Sequence, residues 1–152
     1  MAADLILLKQ LRTETGISIA DCRKALEETD NDYERAVKWL AKHGIEKAEK
    51  KSDRTTLQGI IESYIHANGR IGVLVELLCE TDFVARTDEF KHLAHEIALQ
   101  VSAMNPKDVK TLLKQEYIRD SSKTAQDLIK ETIAKLGENI VLKRFSRLEI
   151  EY

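Results

Sequence analysis

The sequence is poor in the residues that break or stiffen a chain. It has a single proline, Pro106, only six glycines, and aromatic residues that make up 5% of its 152 positions. Because 43% of the residues are hydrophobic, a packed core is expected rather than a disordered chain. No apolar run approaches the roughly 20 residues of a membrane-spanning helix. The N-terminal apolar stretch is short and broken by Lys9 and Arg12, so we expect no secretory signal there.

An excess of positive charge is also missing. The chain has 24 Lys and Arg against 26 Asp and Glu, so direct binding to nucleic acid has no electrostatic support. Its two cysteines, Cys22 and Cys79, are far apart and match neither a CxxC motif nor a zinc-ligand spacing. We interpret both as buried, reduced thiols of a cytoplasmic protein.

Motifs for catalysis and phosphate binding are absent as well. The sequence contains no GxxxxGK[ST], GxGxxG or GxSxG. His92 and His95 are one helical turn apart, but the HExxH order and a third ligand are missing, so we interpret them as ordinary surface or half-buried residues. The sequence therefore predicts no catalytic residue, no metal site and no cofactor. It favours a binding or regulatory protein over an enzyme.

Three short helices are predicted at the start of the chain. Asp4 is a suitable N-cap for a helix over Leu5–Thr15, which Gly16 ends. Ser18 caps the second helix, and Asn31 caps a third that ends at Gly44. Such short helices can bury their apolar stripes only against one another, so residues 1–44 should form a three-helix bundle. The predicted apolar face of the second helix is Ile19, Cys22, Ala25 and Leu26.

Residues 45–55 are charged and lack apolar periodicity, so we predict a linker there, partly helical or extended. Residues 56–152 then begin with a β-hairpin turning at Asn68-Gly69, a strong hairpin signal between two β-branched runs. There follow a helix over residues 88–104 capped by Thr87, a shorter helix over 107–117, a helix ending at Gly137 and a last strand from 140 to 150. The fold class is α+β: an antiparallel sheet with helices on one face.

Phe83 occupies an unusual position, directly after the apolar strand and before the helix capped by Thr87. It either packs under that helix as a staple residue or points outward toward a partner. The local pattern alone favours the staple. The charged neighbour Asp82 favours the outward position, since Val84 and Phe90 can close the junction instead.

Four stretches, in order along the chain, carry a family resemblance: "LRTETGISIADCRKALEET", "DYERAVKWLAKHG", "YIHANGRIGVLVELLCETDFVARTDEF" and "IAKLGENIVLKRFSR". Together they resemble translation elongation factor Ts. The segment "TDFVARTDEF" is the specific part, whereas the first helices alone resemble the widespread ubiquitin-associated bundle. The N-terminal domain is therefore expected to be ubiquitin-associated-like.

The resemblance implies guanine-nucleotide exchange in translation elongation. The partner would be the GTPase elongation factor Tu, in its GDP-bound and nucleotide-free forms. Thr81, Asp82, Phe83 and Val84 would reach into the GTPase and help to displace Mg²⁺, so that GDP leaves and GTP can follow. Arg12, Gly16, Ile17 and Ile19 of the bundle would bind a second face of the partner. Ala20 stands where relatives often have methionine, so it offers less apolar contact.

Two further expectations follow. The region between Pro106 and Gly137 looks short for the family, and short members of this kind dimerise, so a homodimer is expected, with a monomer covered by its own helices as the alternative. The second functional hypothesis is a non-catalytic binding module that uses only the three-helix bundle, and the third and weakest is a metalloenzyme around His92 and His95. A cytoplasmic location without membrane attachment is expected for any of these functions.

Overall fold

The computed structural model describes residues 1–66 and 68–151. Three helices come first: α1 (Leu5–Thr15), α2 (Ile19–Glu28) and α3 (Tyr33–Lys50). The Asp4 side chain accepts hydrogen bonds from the backbone N–H groups that follow it, and Ser18 caps α2 in the same way. Gly16 ends α1 in the left-handed conformation at φ 70°. These predicted boundaries are confirmed.

The third helix corrects the sequence analysis at both ends. Its N-cap is Asp32, not Asn31. The Asn31 side chain instead accepts from the N–H of Asp4 and donates to the carbonyl of Ala2, so it fastens the start of the chain. Gly44 does not end the helix, which continues to Lys50. Gly44 is buried in the middle of α3, where its missing side chain admits a neighbouring helix.

The second part is built on a three-stranded antiparallel sheet. Its strands are β1 (Gln58–Ile65), β2 (Ile71–Cys79) and β5 (Ile140–Glu149), in the order β1-β2-β5. The predicted hairpin and the predicted last strand are both confirmed. Gly69 has a φ of 75°, which suits the tight connection between β1 and β2, while Ala67 lies outside the described residues.

Four helices cover one face of this sheet: α4 (Asp82–Ala85), α5 (Asp88–Met104), α6 (Val109–Lys114) and α7 (Ala125–Leu136). Thr87 caps α5, Asn105 ends it at φ 45°, and Gly137 ends α7, all as predicted. The apolar stripe of α5 is buried against alternate residues of β2, so the fold is α+β as expected. The buried set includes Val73, Val75, Leu77, Phe90, Leu93, Ile97 and Val101.

A small hairpin in the second part was not predicted. Strands β3 (Glu116–Tyr117) and β4 (Asp120–Thr124) follow α6, where the sequence analysis had assigned helix up to residue 117. These strands are too short and too polar for an apolar alternation to reveal them. Two buried polar residues of α5 hold this hairpin: Glu96 accepts from the hydroxyl of Tyr117 at 2.6 Å, and Gln100 accepts from the N–H of Ile118 at 3.0 Å.

The bundle is attached to the sheet domain through the second half of α3. Ala48, one turn beyond Gly44, belongs to the core of the sheet domain. Glu49 forms an ion pair with Lys130 of α7 at 3.3 Å. Residues 45–50, assigned from sequence to the charged segment, are therefore helical and packed against α7.

Candidate partner-binding site

Phe83 lies on the surface in α4, the one-turn helix between β2 and α5. Its exposed fraction is 83%, whereas Phe90, seven positions later, is 0% exposed. The staple hypothesis is wrong, because Phe90 and the half-buried Val84 fill the junction. A large aromatic side chain therefore stands in solvent at the edge of a well-packed domain.

Caps at both ends fix the Phe83 segment, by which we mean Thr81 to Val84. The Thr81 hydroxyl accepts from the N–H of Val84 at 3.3 Å and so begins α4. Behind it, the Thr87 hydroxyl donates to the carbonyl of Val84 at 2.7 Å and caps α5. Asp82 is exposed and accepts from the guanidinium of Arg86 at 3.0 Å. The segment is thus held by local hydrogen bonds while Phe83 itself makes little contact with the domain.

Glu138, in the loop after α7, is the residue of this site that sequence reasoning missed. Its carboxylate accepts from the N–H and the hydroxyl of Thr81, at 3.0 and 2.7 Å. It also accepts from the N–H of Glu80 at 3.2 Å. These partners are separated by 57 and 58 positions, so no local pattern could connect them. Only the pairing of β5 beside β2 brings this loop to the Phe83 segment.

Cys79, the last residue of β2, is buried and contacts the backbone of the Phe83 segment. It is fully buried, and its thiol lies 3.1 Å from the carbonyl oxygen of Thr81. Burial, together with the nearby Glu138 carboxylate, raises the pKa of the Cys79 thiol to about 11. A thiol that stays protonated at neutral pH is a poor nucleophile, so its role here is packing, as expected from sequence.

The candidate residues of the bundle lie at the turn between α1 and α2. Arg12 is exposed, and its carbonyl accepts the N–H of Gly16. Ile17 is half-buried against the bundle core. Ile19 is 54% exposed, so its assignment to the buried face of α2 is wrong. Its exposure leaves an apolar side chain available at the first position of α2.

Each of the two histidines lies near a single carboxylate. His92 lies 3.9 Å from Glu96, and His95 lies 3.9 Å from Glu62. Within residues 1–66 and 68–151, no three His, Cys, Asp or Glu side chains are arranged to hold a metal ion. Every helix in that part of the chain is too short or too polar to cross a bilayer.

Fold and site together define an α+β protein in which a three-helix bundle is fixed to a sheet domain that exposes one phenylalanine. Residues 80–152 match the family described as "Elongation factor TS", and residues 1–50 match "Elongation factor Ts, mitochondrial, N-terminal". The chain is 46% identical to elongation factor Ts of Coprothermobacter proteolyticus, with 93% of this chain and 94% of the relative covered. The chain belongs to the elongation factor Ts family, a family of translation elongation factors.

Two other relatives show how family members differ in length. Elongation factor Ts of Thermotoga maritima is 45% identical over 99% of this chain and 97% of its own length. That alignment is 193 positions long against 152 residues here, so at least 41 internal positions of the relative have no counterpart in this chain. The relative from Nostoc sp. is 48% identical over 91% of this chain, which spans 44% of that longer protein.

Proposed function

We propose that this protein is a guanine-nucleotide exchange factor that acts on elongation factor Tu. It would bind the GDP-bound GTPase, promote loss of Mg²⁺ and GDP, and give way when GTP binds. The observation that carries the proposal is the exposure of Phe83, at 83%, within the family segment "TDFV". A domain that needed this phenylalanine only for packing would bury it, as it buries Phe90.

The chemistry of exchange asks for no catalytic side chain. It asks for a higher affinity for the nucleotide-free GTPase than for the nucleotide-bound form, and coupling of this kind is reciprocal. An aromatic anchor on a pre-ordered segment loses little entropy on binding, so its contact energy is available for displacing groups of the partner. Since Mg²⁺ is the largest positive charge beside the diphosphate, its displacement would weaken GDP binding strongly. Asp82 would rearrange polar contacts next to the inserted ring.

The bundle supplies the second contact in this proposal. Ile19 offers exposed apolar surface, and Arg12 offers an exposed cation. Docking through the bundle would hold the GTPase while Phe83 acts on the nucleotide site. The absence of a basic excess agrees with a protein partner rather than a nucleic acid.

Release of a fluorescent GDP analogue from elongation factor Tu, followed by stopped flow with excess GDP as chase, tests the function. We expect release to accelerate with the concentration of this protein. Phe83→Ala should slow the maximal release rate, whereas Leu57→Ala, which trims another exposed apolar residue (80% exposed), should not. Binding without acceleration by the wild-type protein would overturn the proposal and favour the non-catalytic binding module.

We further propose that the chain forms a homodimer through the open sheet face, which is the side of the sheet opposite the helices. Ile61, Leu74 and Leu148 are 64%, 51% and 76% exposed there. Glu76 and Arg144 form an ion pair on the same face at 3.4 Å. Two such faces can pack as a sandwich. Sedimentation should show a dimer that Leu74→Arg converts to a monomer, and a wild-type monomer at micromolar concentration would refute this.

A further inference from the structure

The two residues of the loop after α7 hold two different parts of the molecule. Glu138 receives its three hydrogen bonds from Glu80 and Thr81, directly before Phe83. The next residue, Asn139, is 3% exposed and donates from its amide to the carbonyls of Ser52 and Arg54, at 3.3 and 2.9 Å. These carbonyls follow the end of α3. Consecutive side chains thus fasten the Phe83 segment and the chain that leaves the bundle.

The hydrogen bonds of Glu138 determine how α4 begins. The Thr81 hydroxyl has one proton, which it donates to Glu138, and this leaves its lone pairs for the N–H of Val84. The carboxylate also fixes the backbone at Glu80 and Thr81 through two amides. Bonds to a charged acceptor are stronger than neutral ones. The direction in which α4 presents Phe83, two residues later, therefore depends on Glu138.

A second contact supports the same region from the other side. Glu80 lies 3.6 Å from Arg54, whose carbonyl is bound by Asn139. Phe83 itself has almost no packing that could hold its direction, given its 83% exposure. Orientation must come from the backbone of its segment, and the only side chain in the described residues that bonds to this backbone from outside the 79–90 stretch is Glu138.

We propose that Glu138 is a positioning residue for nucleotide exchange, acting on the partner only through the direction it imposes on Phe83. This inference rests on the proposed exchange function. Removing the carboxylate leaves Phe83 and the bundle in place, so initial docking is retained. The phenylalanine then enters the partner in a spread of directions, and small misplacements of a working group lower rates strongly.

The test compares Glu138→Ala with wild type in the GDP-release assay across a range of protein concentrations. We expect the maximal release rate to fall about 10-fold while the half-saturating concentration changes by less than about twofold. Glu149→Ala is the matched control, because it removes a carboxylate of β5 that pairs with Arg147 at 2.9 Å, opposite Ile71 and so at the other end of β2 from the Phe83 segment. It should leave both parameters unchanged.

A double variant separates positioning from general damage. If Glu138 acts only through Phe83, then Glu138→Ala adds nothing to Phe83→Ala, and the double variant is no slower than Phe83→Ala. The inference would be overturned if the release rate of the double variant were lowered by the product of the two single effects. A wild-type release rate for Glu138→Ala would also overturn it. Should Glu138→Ala fail to fold, Glu138→Gln decides by the same comparison. Its carbonyl oxygen can still accept from the two amides, but the NH2 group that replaces the second oxygen cannot accept from the Thr81 hydroxyl.

Failure of this inference is distinguishable from failure of the proposed function. If the wild-type protein does not accelerate GDP release, the exchange function itself is wrong. If the wild-type protein accelerates release and Phe83→Ala slows it while Glu138→Ala does not, only the role of Glu138 is wrong.

Discussion

Gly44 of α3 lies so close to Ala134 of α7 that a side chain on Gly44 would force its neighbour to shift. A Cβ atom placed on Gly44 would lie 3.0 Å from the Cβ of Ala134. The glycine therefore allows two helices to approach closely, and it is through this contact and the one at Ala48 that the bundle is fixed to the sheet domain. Its backbone is helical, so the freedom of glycine to adopt positive φ is not used here.

Enlarging Gly44 should separate the two helices. We expect Gly44→Leu to lower the free energy of unfolding by about 2 kcal/mol, within the range found for overpacking. Gly44→Ala should cost less, because the gain in helix propensity, about 1 kcal/mol, offsets the tight contact. Urea denaturation measures both. Adding Ala134→Gly should partly restore the stability lost in Gly44→Leu. If it does not, the contact between these two positions is not the cause of the lost stability.

Truncation of the two phenylalanines on either side of Thr87 should change the free energy of unfolding by very different amounts. Phe90→Ala removes a fully buried ring and should lower the free energy of unfolding by about 3–5 kcal/mol. Phe83→Ala should change it by less than about 0.5 kcal/mol, as is usual for surface sites. Thermal unfolding of the purified variants checks this. A large loss for Phe83→Ala would show that the ring packs in solution.

Ile19 and Ile6 form a matched pair in the bundle, with 54% and 79% of their side chains exposed. Both alanine variants should keep the stability of the wild type. In a titration against nucleotide-free elongation factor Tu, Ile19→Ala should weaken binding about 10-fold, which corresponds to a hot-spot contact of about 1.4 kcal/mol. Ile6→Ala should bind normally. Equal affinities for the two variants would remove Ile19 from the interface.

Glu96 links α5 to the small β3–β4 hairpin. Burial opposes its charge, but hydrogen bonds from Tyr117 and Arg119 outweigh this and lower the pKa of Glu96 below its ordinary 4.5. A lowered pKa means that the stability due to the charged form is present above pH 4.5 and is lost as the pH falls through the lower folded-state value.

Glu96→Gln should therefore lower the free energy of unfolding by about 2 kcal/mol at pH 7, the scale of hydrogen bonds to a charged group. The difference between variant and wild type should shrink as the pH is lowered below 4.5. Denaturant titrations at several pH values test this. Asp120, whose pKa is also lowered but by the exposed Ser122, offers a control: Asp120→Asn should have a much smaller effect.

Local signals predicted most of the fold. Asp4, Ser18, Thr87 and Gly137 are short-range caps, and their positions could be assigned because the groups that they bond lie within a few residues. Long-range contacts were the source of error. Gly44 was assigned as a helix end because glycine commonly ends helices, whereas the contact with Ala134, 90 positions away in sequence, keeps α3 continuous.

In the candidate site, too, long-range contacts could not be predicted from the sequence. The family resemblance suggested a partner-binding role for the segment from Thr81 to Val84, whereas the local pattern alone favoured a buried Phe83, and the structure has Phe83 in solvent. Glu138 could not be found, because no local pattern in residues 137–139 indicates that its carboxylate binds the backbone after β2. Ile19 was placed on the buried face by helical periodicity, but the turn at Gly16 sets α2 so that its first residue faces outward.

The continuous α3 has a consequence for association kinetics. If the bundle and the sheet domain were joined by a flexible linker, a partner bound to one of them would still have to find the other by diffusion. The local concentration for that second contact would be set by the length of the linker. Here the two parts are joined by a continuous helix of 18 residues that packs on the sheet domain at Gly44 and Ala48. In the proposed complex with the GTPase, no such search would be needed, and the second contact would follow the first with little further loss of configurational freedom.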